Sequence, residues 1–298
     1  MSLYAVLSFF LGPLSTLINS NQVIQNAYIA SDRLFDIIDV EAEQESGVEI
    51  TEKVSGEIVF ENVSFRYGSR HDVFKELNLN IKCGAITAIV GDSGSGKSTL
   101  IHLLQNIYPI SSGSVRINNL ELSQIDNSSL RRVVGVVPQS IELFKGTICD
   151  NIALGEIEPD IPKVMAACKE VGFGDYLQKM EKGIFSEVGE DGANLSGGQR
   201  QKIAFARVLY RDPEIIIMDE ATSSLDSISE GVMMKAVDNL RKNGKTVIMI
   251  AHRLSTLLSS DTIIVLEEGK VVEQGNHKEL YESRGKYFAL WQKQLPLL

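Results

Sequence analysis

The residues best suited to chemistry form one run, Gly91-Asp92-Ser93-Gly94-Ser95-Gly96-Lys97-Ser98-Thr99. Its glycines let the backbone curl until several N–H groups converge on one point, where a larger side chain would block an anion. In this G-x4-G-K-S spacing, Lys97 reaches β- and γ-phosphates and Ser98 brings a hydroxyl suited to Mg²⁺. The flanks fit a phosphate cradle better than a plain glycine turn. Ala85 to Val90 is an apolar run that predicts a buried strand. Leu100 to Leu104 predicts the start of a helix, whose first N–H groups and positive dipole end face the loop.

Other candidates lie at the ends of further predicted elements. Ile215 to Met218 predicts a strand running into Asp219-Glu220. An aspartate there can hold Mg²⁺ through water, and the next residue can orient an attacking water. Val133 to Val137 predicts a strand ending in Pro138-Gln139, which points the glutamine into the crevice where ligands sit in parallel sheets. Taken alone it is more often a loop hydrogen-bonder. Thr246 to Ala251 predicts a strand ending in His252; the imidazole could contact a γ-phosphate, although a lone histidine is more often structural. Ser196-Gly197-Gly198-Gln199 opens a helix over Arg200 to Tyr210. That is a second glycine-rich anion site, or a plain serine cap. Tyr67, after a strand beginning at Glu57, could stack on a base or sit as a rim aromatic.

The elements that must position these residues follow in order. Glu57 to Tyr67 and Val73 to Ile81 predict an antiparallel pair, and Ser114 to Ile117 a short strand. Thr147 to Gly183 reads as several helices without a strand. Thr262 to Leu266 and Lys270 to Gln274 are closing strands before a helical C-terminus. The 298-residue length allows about two domains, or one large domain with an attachment. A net charge of −10 argues against nucleic acid as a partner, since such binding needs a positive footprint. Cys83, Cys149 and Cys168 are scattered, with no C-x-x-C pair, as suits buried thiols in a reducing cytosol.

The N-terminal stretch differs from the rest. Its first charged residue is Asp32. Leu3 to Ile18 is mostly apolar but short of the roughly 20 residues that span a bilayer. It also lacks the positive start of a secretory signal. The expectation is the truncated end of a transmembrane helix over 1–20, with a buried or interfacial helix as the alternative, then a helical extension and linker over 21–55. The acidic run Val40 to Gly47 reads as the boundary.

With these residues in place the chain resembles the nucleotide-binding domain of ATP-binding cassette (ABC) transporters, over Gly56 to about Gln294. Leu195-Ser196-Gly197-Gly198-Gln199 stands as that family's signature, between Walker A and Walker B motifs. Pro138-Gln139 resembles the Q-loop, Ser223-Ser224-Leu225-Asp226 the D-loop, His252 the switch histidine and Tyr67 the adenine-stacking aromatic. Gly189-Glu190-Asp191-Gly192 resembles the exporter X-loop. Ser224 departs from the usual alanine but stays small.

The resemblance implies an α/β fold: a P-loop NTPase (RecA-like) core, an antiparallel β-subdomain and an α-helical signature subdomain at about 141–200, all within a domain at 56–298. It implies ATP and Mg²⁺ as cofactors, with Tyr67, Gly91 to Thr99, Ser196 to Gln199 and Asp226 at nucleotide, and Ser98, Gln139 and Asp219 serving Mg²⁺. Lys97, Gln139, Glu220 and His252 are the implied catalytic set. The implied partners are a second such domain, head to tail, and a transmembrane domain in the same chain, with the ATPase on the cytoplasmic side of the membrane. The N-terminal pattern is most similar to exporters of bacteriocins and related peptides, with lipid or drug exporters as the alternative. A non-transport ABC ATPase, a nucleotide-binding module without turnover and a stand-alone ATPase subunit are the rival readings.

Overall fold

The computed structural model describes residues 3–40, 47–51, 53–222, 224–251 and 253–294. His252, Ser223 and most of the acidic boundary run lie outside the described residues. The chain divides into two units, Met1–Gln44 and Glu45–Leu298.

The first unit is helix α1 (Leu3–Ile38), 36 residues long with Pro13 inside it. Proline removes one backbone donor from the ladder. Beside it, Ser15 and Thr16 donate hydroxyl hydrogen bonds back one turn, to the carbonyls of Leu11 and Gly12. Phe9, Leu14, Leu17, Ile18 and Ile24 are exposed on α1. Among the described residues no helix is long and apolar enough to cross a membrane.

The second unit is built on strands β1 (Glu57–Arg66), β2 (Asp72–Lys82), β3 (Ile86–Val90), β4 (Ser112–Ile117), β5 (Leu120–Glu121), β6 (Val134–Val137), β7 (Gly146–Thr147), β8 (Glu187–Val188), β9 (Ile215–Asp219), β10 (Thr246–Ile250), β11 (Thr262–Glu267) and β12 (Lys270–Gly275). Its helices are α2 (Lys97–Leu104), α3 (Asn127–Val133), α4 (Ile148–Ile152), α5 (Ile161–Glu170), α6 (Gly174–Gln178), α7 (Gly197–Arg211), α8 (Ser227–Lys242), α9 (Leu254–Leu258), α10 (His277–Ser283) and α11 (Lys286–Gln294).

Six strands form the central sheet in the order β12-β11-β3-β10-β9-β6. All its pairings are parallel except that of β12 with β11. A parallel strand covered on both faces needs an unbroken apolar run, and β3 and β10 are buried along their whole length. Their side chains alternate between faces. Val247 and Met249 join a core with helical residues such as Val164, Phe205 and Val237. Ile248 and Ile250 join the opposite core with Leu100 of α2 and Phe60 and Phe74 of the antiparallel sheet β2-β1-β4-β5. Ala88, Val90, Ile263 and Val265 pack with Tyr287 and Trp291 of α11 in a third cluster.

Register decides where the chemistry lies. Ile250 pairs with Ile89 on one side and Asp219 on the other, and Val137 pairs with Met218. The loops after β3, β6, β9 and β10 therefore leave the sheet at one edge.

Several boundaries differ from the sequence expectation by a few residues, and two of them have a plain physical reason. Val133 ends α3 rather than opening β6. Asp126 caps α3 by accepting from the Ser129 N–H at 2.8 Å, and the helix runs on into the apolar stretch. An apolar run carries no mark where helix hands over to strand. Thr147 pairs with Glu187 in a two-stranded ribbon, so the stretch after it is helical but its first residue is not.

Candidate functional site

Gly96 caps α2 in a left-handed conformation, φ 106°, and contributes no side-chain hydrogen bond. The first N–H groups of a helix have no acceptor within it. Here they are left for something else. Lys97 is buried, and its Nζ donates to the carbonyls of Gly91 at 2.9 Å and Asp92 at 3.0 Å. Burial pushes the Lys97 ammonium below its ordinary pKa, while Glu220, Asp219 and Asp92 pull it back up. Ser95 is also buried, with an Oγ that has no hydrogen-bond partner. Gly94 and Ser98 are exposed.

Asp219 is the last residue of β9, and Glu220 follows with φ 48°. A non-glycine residue in the left-handed region is strained, and such strain gathers at functional sites. The turn aims the Glu220 carboxylate at the loop after β6, where Gln139 Nε2 donates to Glu220 Oε2 at 2.8 Å. Gln139 and Glu220, 81 residues apart in sequence, therefore meet directly.

Tyr67 is half-buried at the end of β1. Its hydroxyl donates to Thr99 Oγ1 at 3.2 Å and lies 3.3 Å from His102 Nδ1. Its ring stands edge-on to Phe65 and Tyr108. Thr99 and His102 are residues of α2, so the tyrosine is tied to the helix that leaves the phosphate loop.

The second glycine-rich helix start is separate. Ser196 Oγ accepts from the Gln199 N–H at 3.3 Å, and Gln199 Oε1 accepts from the Ser196 N–H at 2.8 Å. Gly197 and Gly198 pack closely on Ser224 and Leu225, where an added Cβ would stand 3.3 Å from either side chain. Asp226 caps α8, accepting from the N–H groups of Ile228 at 3.0 Å and Ser229 at 2.9 Å. A cavity of about 230 Å³ is lined by Ser196, Gly198, Gln199, Lys202 and Asp226 among others, and by no residue of the Gly91–Thr99 loop.

These features suit a polyphosphate with a hard cation. An uncapped helix start, a desolvated lysine and an orphaned buried hydroxyl at Ser95 fit the anion. Ser98, Asp219 and Gln139 offer oxygen donors of the kind Mg²⁺ takes. Among the described residues no three His, Cys, Asp or Glu side chains gather into a metal cage. Mg²⁺ bound beside phosphates needs none, since it takes one or two protein groups and keeps phosphate and water oxygens.

Sequence reasoning gave the loop and the acids but missed three contacts. These are the Gln139–Glu220 bond, the Tyr67–Thr99–His102 tie and the pairing of Asp92 with Lys286 and Lys293. Each joins residues far apart in sequence, and no local pattern marks them.

The family model described as "ABC transporter" matches residues 74–223. The chain is 42% identical over 284 residues to an ATP-dependent lipid A-core flippase of Sodalis glossinidius, covering 95% of this chain and 49% of that protein. It is 40% identical over 284 residues to the protein of that name from Escherichia coli strain K12, with the same coverages. The chain thus spans about half the length of the curated relatives it matches. A solved bacterial Atm1-family ABC exporter with ATP bound superposes with a TM-score of 0.83 at 34% identity, covering 97% of this chain and 51% of that one.

Proposed function

The chain belongs to the ABC transporter family, and we propose that it is the ATP-binding and ATP-hydrolysing part of an exporter with a lipid cargo. The observation that carries the enzymatic reading is the setting of Lys97: buried at an uncapped helix start, with Asp219 and Glu220 close enough to act on its charge. The lipid cargo rests on the names of relatives, which are lipid A-core flippases. The peptide cargo suggested by the N-terminal pattern has no support among these relatives.

In this reading the loop amides, apart from the Ser95 N–H that donates to the Asp92 carbonyl, and the Lys97 ammonium hold the β- and γ-phosphates. Ser98, Asp219 and Gln139 would hold Mg²⁺, which would supply positive charge to offset that of the phosphates. Glu220 orients the attacking water and takes its proton, and Gln139 fixes the carboxylate through the observed bond. His252 holds the γ-phosphate and Tyr67 stacks on the adenine. Most of the rate gain comes from positioning and electrostatics, which suits this set of groups.

Two partners belong to the proposal. The Ser196 cavity shares no residue with the phosphate loop, which favours a second copy, packed head to tail, as the source of the other half of each ATP site. Asp226 would then act across that interface. The exposed apolar residues of α1 and the half-length coverage favour a transmembrane domain in a longer chain, with this part on the cytoplasmic side of the cytoplasmic membrane.

Phosphate release is the test. Glu220→Gln keeps an amide oxygen able to accept from Gln139, so nucleotide binding persists while hydrolysis falls by about 10²–10⁴-fold. Hydrolysis at the wild-type rate would sink the assignment of Glu220 as base.

A further inference from the structure

The phosphate loop carries a carboxylate, Asp92, beside the place where a polyphosphate must bind. Like charges repel, and an acid here opposes the amides and Lys97. Two lysines from α11, near the C-terminus, meet it. Lys286 Nζ stands 3.2 Å from Asp92 Oδ2, and Lys293 Nζ stands 3.8 Å from Asp92 Oδ1. The hydrogen bond and charge of Lys286, with the charge of Lys293, hold the Asp92 carboxyl below its ordinary pKa.

The element that brings these lysines is firmly seated. Glu273 of β12 accepts from the N–H groups of Lys286 at 2.7 Å and Tyr287 at 2.9 Å, closing the start of α11. Lys286 also pairs with Glu267 at the end of β11. Tyr287 is fully buried and packs with Trp291 in the same cluster as Val90, the residue just before the loop. Asp92 is thus held from both sides. Its backbone carbonyl accepts from Lys97, and its carboxylate faces α11.

Resting on the nucleotide-binding reading above, we propose that Lys286, assisted by Lys293, is a positioning residue for the phosphate loop. It neutralises Asp92 and turns its carboxylate toward α11, so that the incoming polyphosphate does not meet an unpaired negative charge. Exposed pairs of this kind contribute little to folding stability. The Asp92 side chain is 53% exposed and that of Lys286 29%. The effect therefore falls on ligand affinity rather than on the fold.

The test is calorimetric titration of the 298-residue chain with a non-hydrolysable ATP analogue and Mg²⁺, beside steady-state ATPase kinetics. Lys286→Ala weakens binding by about 3- to 10-fold at low salt and raises KM by a similar factor, with kcat within about twofold. The loss shrinks in about 0.5 M salt, as a screened charge effect must. Lys286→Arg restores affinity. Asp92→Asn removes most of the effect of Lys286→Ala, since the charge on the loop is gone and only the pairing of Lys286 with Glu267 is still lost. If the double variant Asp92→Asn/Lys286→Ala binds as weakly as Lys286→Ala alone, the lysine acts by some other route and the proposal fails. Wild-type affinity in Lys286→Ala overturns this proposal alone. A wild-type chain that binds no analogue overturns it together with the nucleotide-binding reading.

Discussion

Gly96→Ala tests whether the turn that aims the phosphate loop is as tightly determined as the geometry indicates. Gly96 has φ 106° and ψ 4°, a backbone conformation that costs an alanine about 1–3 kcal/mol. Its added Cβ would stand 2.7 Å from Phe74 Cε1 and 3.0 Å from Cζ. Phe74 is completely buried in the core beneath β1 and β2, so the ring cannot swing away. Such overpacking costs about 1–3 kcal/mol. The stiffer unfolded chain returns about 0.4–1 kcal/mol. The net loss is about 1–6 kcal/mol, or a fall in Tm of about 2–22 °C for a body of this size. Gly94→Ala is the control. Gly94 has φ 81° but nothing within 4 Å of an added Cβ, so only the backbone strain remains and the fall is about 0–10 °C, smaller than at Gly96 by the overpacking contribution. Thermal unfolding followed by circular dichroism measures both. If Gly96→Ala melts no lower than Gly94→Ala, the packing of the turn against Phe74 is not what fixes the loop.

Lys97→Ala removes the ammonium proposed to hold the phosphates, and affinity for an ATP analogue drops by more than about tenfold; an unchanged titration contradicts the cradle. The thiols give a prediction independent of nucleotide. Cys149 and Cys168 are buried, and burial pushes the Cys168 thiol up to about 12. At pH 8 a thiol reagent therefore modifies at most Cys83 in the folded chain and all three cysteines in denaturant, and two fast-reacting thiols in the folded chain would refute the packing of α4 and α5. The sign for stability follows. The folded thiol of Cys168 ionises later than the unfolded one, so its contribution is intact below pH 9.0 and is lost as pH climbs to about 12. Chemical denaturation at pH 7 and pH 10 should give a lower midpoint at the higher pH.

The central sheet was legible because its strands are short apolar runs with sharp polar ends. Ile215 to Met218 followed by two acids can be read without any tertiary information. The loop at Gly91–Thr99 was legible because its glycines and lysine sit at a fixed spacing. What escaped was pairing at a distance. Gln139 and Glu220 each stood out alone, but their bond depends on β6 lying beside β9, which only the sheet order supplies. The left-handed turn at Glu220 escaped too, because glutamate carries no preference for it. Lys286 was invisible for a different reason. A lysine on a C-terminal helix is normally a solvated surface charge, and only the seating of α11 behind Val90 brings it to Asp92.

The two glycine-rich helix starts look alike in sequence, yet they are not equivalent anion sites. At α2 the cap is Gly96, which has no side chain to offer, so the first-turn N–H groups are left to a ligand. At α7 the Ser196 hydroxyl and the Gln199 amide already satisfy one N–H each. A phosphate arriving at α7 must displace or share those bonds, whereas at α2 it meets amides and a desolvated lysine together. The α2 site is therefore the stronger one in a single chain, and α7 gains an anion only when something else presents it. Under the proposed head-to-tail arrangement that something is nucleotide already held by the loop of a second copy. In that proposed arrangement the caps favour one order of events: nucleotide would load on Gly91–Thr99 first, and the Ser196 helix of the second copy would close on it afterwards.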